Sequence, residues 1–215
     1  MSNVGAIILA AGGSTRFGRP KQLLEFQGES LVRRAVQAAS EACGSSIVVV
    51  AGDMHALIQA ELRESAATVV ENPEWSRGLG TSIRCGLQHL IASTPELDAV
   101  VLMACDQPFA DARTIAALVA KQATTGKAIV ASSYADTLGI PALFDQSCFE
   151  ALLALPDDAG AKALIESRPD DVASIEFEKG AIDIDTPADF ECLTWRALPH
   201  VDLGRRRARD RGRLP

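Results

Sequence analysis

Aromatic residues make up only 5% of this 215-residue chain, so its core has to be filled by Ala, Val, Leu and Ile. No apolar run approaches the ~20 residues that cross a bilayer. The N-terminus has neither the basic start nor the long apolar region of a signal peptide; both absences point to a cytoplasmic protein without a membrane partner. Cys-x-x-Cys spacing is missing as well. The five cysteines (Cys43, Cys85, Cys105, Cys148, Cys192) are scattered and odd in number, which disfavours a complete disulfide framework and offers no zinc site. Buried thiols in a reducing compartment follow. His55, His89 and His200 are equally dispersed, giving no metallohydrolase or Cys/His nucleophile pattern. Basic residues are scarce except at one end. Residues 205–215 hold six arginines and one aspartate, so of the overall −7 the rest of the chain carries −12. An acidic body of that kind argues against a general nucleic-acid binder.

What is present suits one domain with a substantial core: 47% hydrophobic residues and a mean hydropathy of +0.11. Apolar runs alternate with helical patterns. Strands are expected at 4–9, 47–51, 68–71, 99–105, 128–133 and 172–177, and helices at 31–43, 55–65, 80–92, 112–122, 146–155 and 159–167. Gly139 to Phe144 reads as a loop leading into a strand. Thr186-Pro187-Ala188-Asp189 carries N-cap, first-turn proline and acid, and should open a last helix to about 197. The alternation implies right-handed crossovers and an α/β class: a three-layer α/β/α, mostly parallel Rossmann-like sheet, with ligands at the carboxyl ends of its strands. Residues 1–198 read as that domain and 199–215 as an arginine-rich flexible tail.

The stretch Leu9-Ala10-Ala11-Gly12-Gly13-Ser14-Thr15-Arg16-Phe17-Gly18-Arg19-Pro20-Lys21 leaves the first strand through small residues and closes on spaced cations. Exposed N–H groups in such a loop form an anion-binding concavity. Arg16 can fork onto phosphate oxygens and Lys21 adds a mobile point charge. Neither a Walker A loop nor a G-x-G-x-x-G fingerprint is present, and an ordinary glycine-rich βα turn with surface cations is the alternative.

Asp106 ends the 99–105 run. A carboxylate there, beside a phosphate loop, suits Mg²⁺, which takes one or two protein carboxylates plus phosphate oxygens and waters; the plainer reading is a turn-forming Asp before a proline. In Asp183-Ile184-Asp185-Thr186-Pro187 the two acids fall on the same side of an extended segment. Asn72-Pro73-x-Trp75-x-x-Gly78-Leu79-x-Thr81-Ser82 offers glycines for close backbone approach and a serine at a helix start; Trp75 reads as packed against the body.

L-A-A-G-x-S-x-R-x-G-x-x-K resembles the signature loop of nucleotidyltransferases with a GT-A-like fold, and within them the branch that attaches CMP or GMP to molybdopterin. D-I-D-T-P at 183–187, N-P-x-W-x-x-G-x-x-x-S at 72–82 and D-x-G-A-K at 158–162 are similar to further segments of that branch. Asp157 and Lys162 stand where glycine and arginine are usual, and Ile140 where a histidine is frequent. The resemblance implies a Mg²⁺-dependent transfer of CMP from CTP to the molybdenum cofactor's phosphate with release of pyrophosphate. It implies Lys21, Arg16 and Asp106 as catalytic, Ala10, Ala11, Gly12, Gly13, Arg16, Lys21, Gly78 and Ser82 as nucleotide-binding, and Asp106 and Asp185 as metal ligands. Partners would be CTP or another NTP, a molybdopterin-type acceptor, and a molybdoenzyme or its insertion chaperone. GTP as donor, a sugar-phosphate acceptor, or a non-catalytic nucleotide- or cofactor-binding chaperone are the rival readings.

Overall fold

The computed structural model describes residues 3–13, 20–184, 186 and 188–191. The arginine-rich tail, Arg16 and Asp185 lie outside these residues.

Strand β1 (Val4–Ala10) is buried along its whole length, as a continuous apolar run in the middle of a parallel sheet should be. After the glycine loop come a 3-10 turn at Lys21–Leu23 and a small hairpin, β2 (Glu25–Phe26) and β3 (Glu29–Ser30). Helix α1 (Leu31–Cys43) follows, with Ser30 Oγ accepting from the Arg33 N–H and Gly44 closing the far end. Next are β4 (Ile47–Ala51), α2 (His55–Glu61), β5 (Thr68–Glu71), α3 (Leu79–Ser93) and β6 (Ala99–Ala104). The remainder comprises α4 (Ala112–Thr125), β7 (Ile129–Tyr134), β8 (Thr137–Asp145), α5 (Phe149–Leu153), α6 (Ala161–Ser167) and β9 (Val172–Glu176). Asp111 caps α4 by accepting from the Thr114 N–H.

Seven strands pair in the order β5-β4-β1-β6-β8-β7-β9, and only β8 runs antiparallel to its neighbours. Period-two alternation divides the core into two layers. Ala6, Ile8, Val49, Val101 and Met103 face α1 and α4 through Val32, Val36, Ile115 and Leu118. Ile7, Leu9, Val48, Val50, Val100 and Leu102 face α3, α5 and α6 through Ile83, Leu87, Leu152 and Leu164. Each fully buried aliphatic side chain contributes ~1.5–3 kcal/mol. Gly86 lets α3 lie against the sheet: a Cβ there would sit 2.7 Å from Ile7 and 2.8 Å from Val50.

The three-layer, mostly parallel expectation holds, with local differences in where elements begin and end. Helix α2 stops at Glu61, not at 65. Residues 139–144, expected as a loop leading into a strand, lie wholly inside the long strand β8. Strand β8 folds back from β7 through Ala135 and Asp136, both at positive φ (47° and 57°), as a two-residue hairpin turn requires. Asp136 suits such a turn, but Ala135 lacks the Asn, Asp or Gly usual at its first central position, so the dipeptide is a weak hairpin signal. Pairing then slips between Ala131 and Ser132: Ala131 faces Ala142, but Ser132 faces Gly139. Ile140 and Pro141, joined by a cis peptide, bulge out of the ladder, as strands often do beside functional sites.

Candidate active site

Strand order reverses at β1. The connection from β1 leads to β4 and β5 on one side, whereas β6 and the later strands lie on the other. Crevices for ligands open at such switch points, outside the carboxyl ends of the strands. Leu9 pairs with Ala104 there, so the glycine loop and Asp106 emerge side by side.

A cavity of about 460 Å³ occupies this edge. It is lined by Ala10, Ala11, Gly12, Lys21, Gly78, Ser82 and Asp106, seven of the residues singled out in the sequence, and by Asp183. Gly13 is described but does not line it. Lys21 Nζ and Asp106 Oδ2 lie 2.6 Å apart across 85 residues of chain, a charge-assisted contact with the side chains 15% and 20% exposed. Asp183 arrives because the Ile184 N–H donates to the Asp106 carbonyl at 3.2 Å, while the Ile184 side chain is buried with Leu24, Phe26 and Leu31. Beyond it, Thr186 and Asp189 cap each other: the Thr186 N–H donates to Asp189 Oδ2 (2.8 Å) and the Asp189 N–H to Thr186 Oγ1 (3.2 Å). Residues 188–191 are helical.

Gln22, next to Lys21, is 1% exposed, and its Nε2 donates to the carbonyls of Ala10 (2.9 Å) and Gly12 (2.8 Å). With those two carbonyls occupied, the anion-binding character of the loop rests on its N–H groups. On the α3 side, Gly78 adopts φ +137°, and a Cβ there would lie 2.3 Å from the Asp157 carbonyl. Gly78 precedes the first turn of α3, whose positive dipole end opens on the cavity. Ser82 lies one turn inside the helix, where its oxygen accepts from Asn72 Nδ2 at 3.0 Å; Thr81 accepts from the same amide at 2.8 Å. Asn72, only 3% exposed, thus ties the 72–78 loop to α3. Trp75 packs as expected but also lines the cavity. Its ring lies over Gly52, where a Cβ would be 2.7 Å away, and Nε1 donates to Asp53 at 2.9 Å.

Asp157 accepts from Arg77 and Arg84 (2.5 Å each), and Arg84 also donates to the Leu155 carbonyl. The Arg84 hydrogen bond, with the Arg77 charge, holds the Asp157 carboxyl below the usual carboxylate range. This substitution for glycine therefore clasps the 155–158 loop to α3. Lys162 lies 3.7 Å from Glu166 one turn along its own helix.

Gln22, Gln107 and Tyr134 line the cavity without having been marked in the sequence as ligand-facing, and Ile140, noted there in place of a frequent histidine, lines it too. Burial is the first cause holding the Tyr134 hydroxyl above its usual pKa, with the Gln107 amide opposing and the Asp183 and Asp106 carboxylates adding to it. The Cys105 thiol is pushed far up, by complete burial first and by Asp106 second, which removes it as a nucleophile. Hard oxygen donors at Asp106 and Asp183 on one wall suit a divalent cation that also takes phosphate oxygens. No group of three or more metal-ligating side chains occurs among the described residues. No described helix is long and apolar enough to cross a membrane.

The bifunctional protein GlmU of Mycobacterium ulcerans is 33% identical over 134 residues, 59% of this chain but 27% of that protein. The chain thus spans about a quarter of the GlmU length. The nicotine blue oxidoreductase of Paenarthrobacter nicotinovorans is 27% identical over 192 residues (85% and 92% of the two chains). The molybdenum cofactor cytidylyltransferase of Escherichia coli is 26% identical over 195 residues (88% and 95%). Among solved structures, Rv0371c of Mycobacterium tuberculosis superposes with a TM-score of 0.75 at 27% identity, covering 90% of this chain and 98% of that one. Its manganese complex gives 0.72 at 25%, covering 92% and 100%. The family description "MobA-like NTP transferase domain" matches residues 6–172, which hold every lining residue of this cavity except Asp183, and the chain belongs to that family.

Proposed function

We propose that the chain is a divalent-metal-dependent nucleotidyltransferase that moves CMP from CTP to the phosphate of a molybdopterin-type acceptor. The observation that carries this reading is the Lys21–Asp106 pair at the switch point, on one cavity with the glycine loop. Family membership and the similarity to a molybdenum cofactor cytidylyltransferase support it.

The chemistry is in-line displacement. An acceptor phosphate oxygen forms a bond to the α-phosphorus of CTP as the bond to the bridging oxygen breaks, and pyrophosphate leaves with the electron pair. Such a step needs alignment and charge neutralisation more than a covalent nucleophile. The loop N–H groups at 11–13 and the α3 N-terminus hold the triphosphate. Lys21 turns its ammonium from Asp106 toward the charge that grows on the α-phosphate. Arg16, assigned by its place in the motif, grips the phosphates. Asp106, with Asp183 and by motif Asp185, holds Mg²⁺ or Mn²⁺, and the cation supplies Lewis-acid charge neutralisation. A solved relative is a manganese complex.

A pyrophosphate-release screen crossing CTP, GTP, UTP and ATP with molybdopterin and several sugar phosphates tests the reading. Metal-dependent release with CTP and molybdopterin is expected. Release only with another nucleotide or a sugar phosphate would move the specificity and keep the chemistry. No release with any pair would remove the transferase reading and leave the redox chemistry named for the nicotine blue relative to be assayed.

A further inference from the structure

Gln107 follows Asp106 directly and is 6% exposed, yet it belongs to the cavity wall. Its Nε2 donates to the carbonyls of Ile140 and Gly180, both at 3.1 Å. Because both neighbours are acceptors, the amide cannot be turned round without setting its own oxygen against two others. The orientation is therefore fixed, and Oε1 is left without a donor among the described residues. Buried amide oxygens are nearly always satisfied, and leaving one unmade is costly to the fold. A molecule that brings an N–H or O–H to this point gains what the protein forgoes.

The topology says which molecule that is. In the sheet, β6 has β1 on one side and β8 and β7 on the other. The glycine loop, and with it the nucleotide phosphates, belong to the β1 side. Gln107, Tyr134 and Ile140 gather on the β7–β8 side, where the bulge at Ile140 leaves the ladder. We propose that Gln107 is an acceptor-recognising residue, with Oε1 taking a hydrogen bond from an N–H or O–H group of the phosphomonoester acceptor. Tyr134 and Ile140, both half-buried on the cavity, are the side chains that shift to admit that donor; the Tyr134 hydroxyl is now given to the Ile140 carbonyl at 3.1 Å. The assignment rests on the transferase reading and deepens it: an acceptor whose body carries no donor near its phosphate is a poor substrate.

Steady-state pyrophosphate release by the full chain with CTP and molybdopterin tests this in Gln107→Met, which removes both the amide N–H and the oxygen. Gln107→Met should raise the acceptor KM by about tenfold, the worth of one good hydrogen bond, with the CTP KM unchanged within about twofold. The inhibition constant of methyl phosphate competing with the acceptor should also stay within about twofold, because that phosphomonoester carries no N–H or O–H beyond its phosphate. Thermal unfolding checks that the variant is folded, and Gln107→Leu replaces it if it is not. Equal rises in the acceptor KM and the methyl phosphate constant would assign Gln107 to holding Ile140 and Gly180 only, and overturn the proposal. So would an unchanged acceptor KM, or a rise confined to CTP. A wild-type chain inert with molybdopterin and every sugar phosphate of the screen overturns the transferase reading and this assignment with it.

Discussion

Lys21 and Asp106 neutralise each other across the cavity, so each variant exposes what the other does. Asp106→Ala should lower turnover by at least ~10²–10³-fold, the usual loss when one group aimed at developing charge is removed. The fold should persist, because both side chains keep some solvent contact. Near-normal turnover at saturating CTP and metal would sink the assignment. Lys21→Ala should reduce kcat more than nucleotide affinity if its contact tightens in the transition state; a change confined to the CTP KM would make it a ground-state binder. The two losses should not add in the double variant, since the residues are in contact. At this scale the motif marked Lys21 and Asp106 because their chemistry is local. Gln22, also adjacent to Lys21, carried no such signal. A glutamine becomes a loop anchor only when a strand end and a turn bring Ala10 and Gly12 to its amide.

Among the elements, the β7–β8 hairpin and α3 carry the departures from the pattern. Ala135 sits at φ 47°, a region that costs a non-glycine residue ~1–2 kcal/mol. Ala135→Gly should therefore raise the unfolding free energy in urea by ~1 kcal/mol, with a higher midpoint and activity unchanged; a lower midpoint would mean the turn is not strained. Gly86→Ala should destabilise by ~1–3 kcal/mol, because its methyl meets branched carbons of Ile7 and Val50 in the packed layer. The Asp157 clasp has a pH signature. Its carboxyl is held below the ordinary range by Arg84 and Arg77, so its contribution is complete above about pH 4 and lost as pH falls through the lowered folded value. The Tm difference between the wild type and Asp157→Asn should shrink as acid is added below that point. A difference constant with pH would deny the ion pair its role. Helix α1 was readable from its period and caps because those are properties of a single segment. Strand β8 was read only in part, as a strand after a loop, since its partners, β6 and β7, lie on both sides in space and Ala135 is an unusual residue to begin a hairpin turn.

For the whole molecule, the basic end is expected to be dispensable for turnover. Removing residues 204–215 should leave kcat on CTP and a small acceptor unchanged, because none of the matched family region, residues 6–172, extends there. A severalfold fall on truncation, measured by pyrophosphate release, would tie the tail to the site. Any partner held through those arginines should be lost as salt rises. By itself the sequence determined the three-layer class, the order of most strands and helices, the glycine loop and the acid after β6, all written in periodicity, caps and short motifs over neighbouring residues. The tertiary structure alone decided that Lys21 meets Asp106 over 85 residues, that Asp183 returns to the same wall, and that Gln107 keeps one amide oxygen unmatched. Those facts depend on which strands pair and where a ladder slips, and pairing is a choice made between distant segments that no local pattern records.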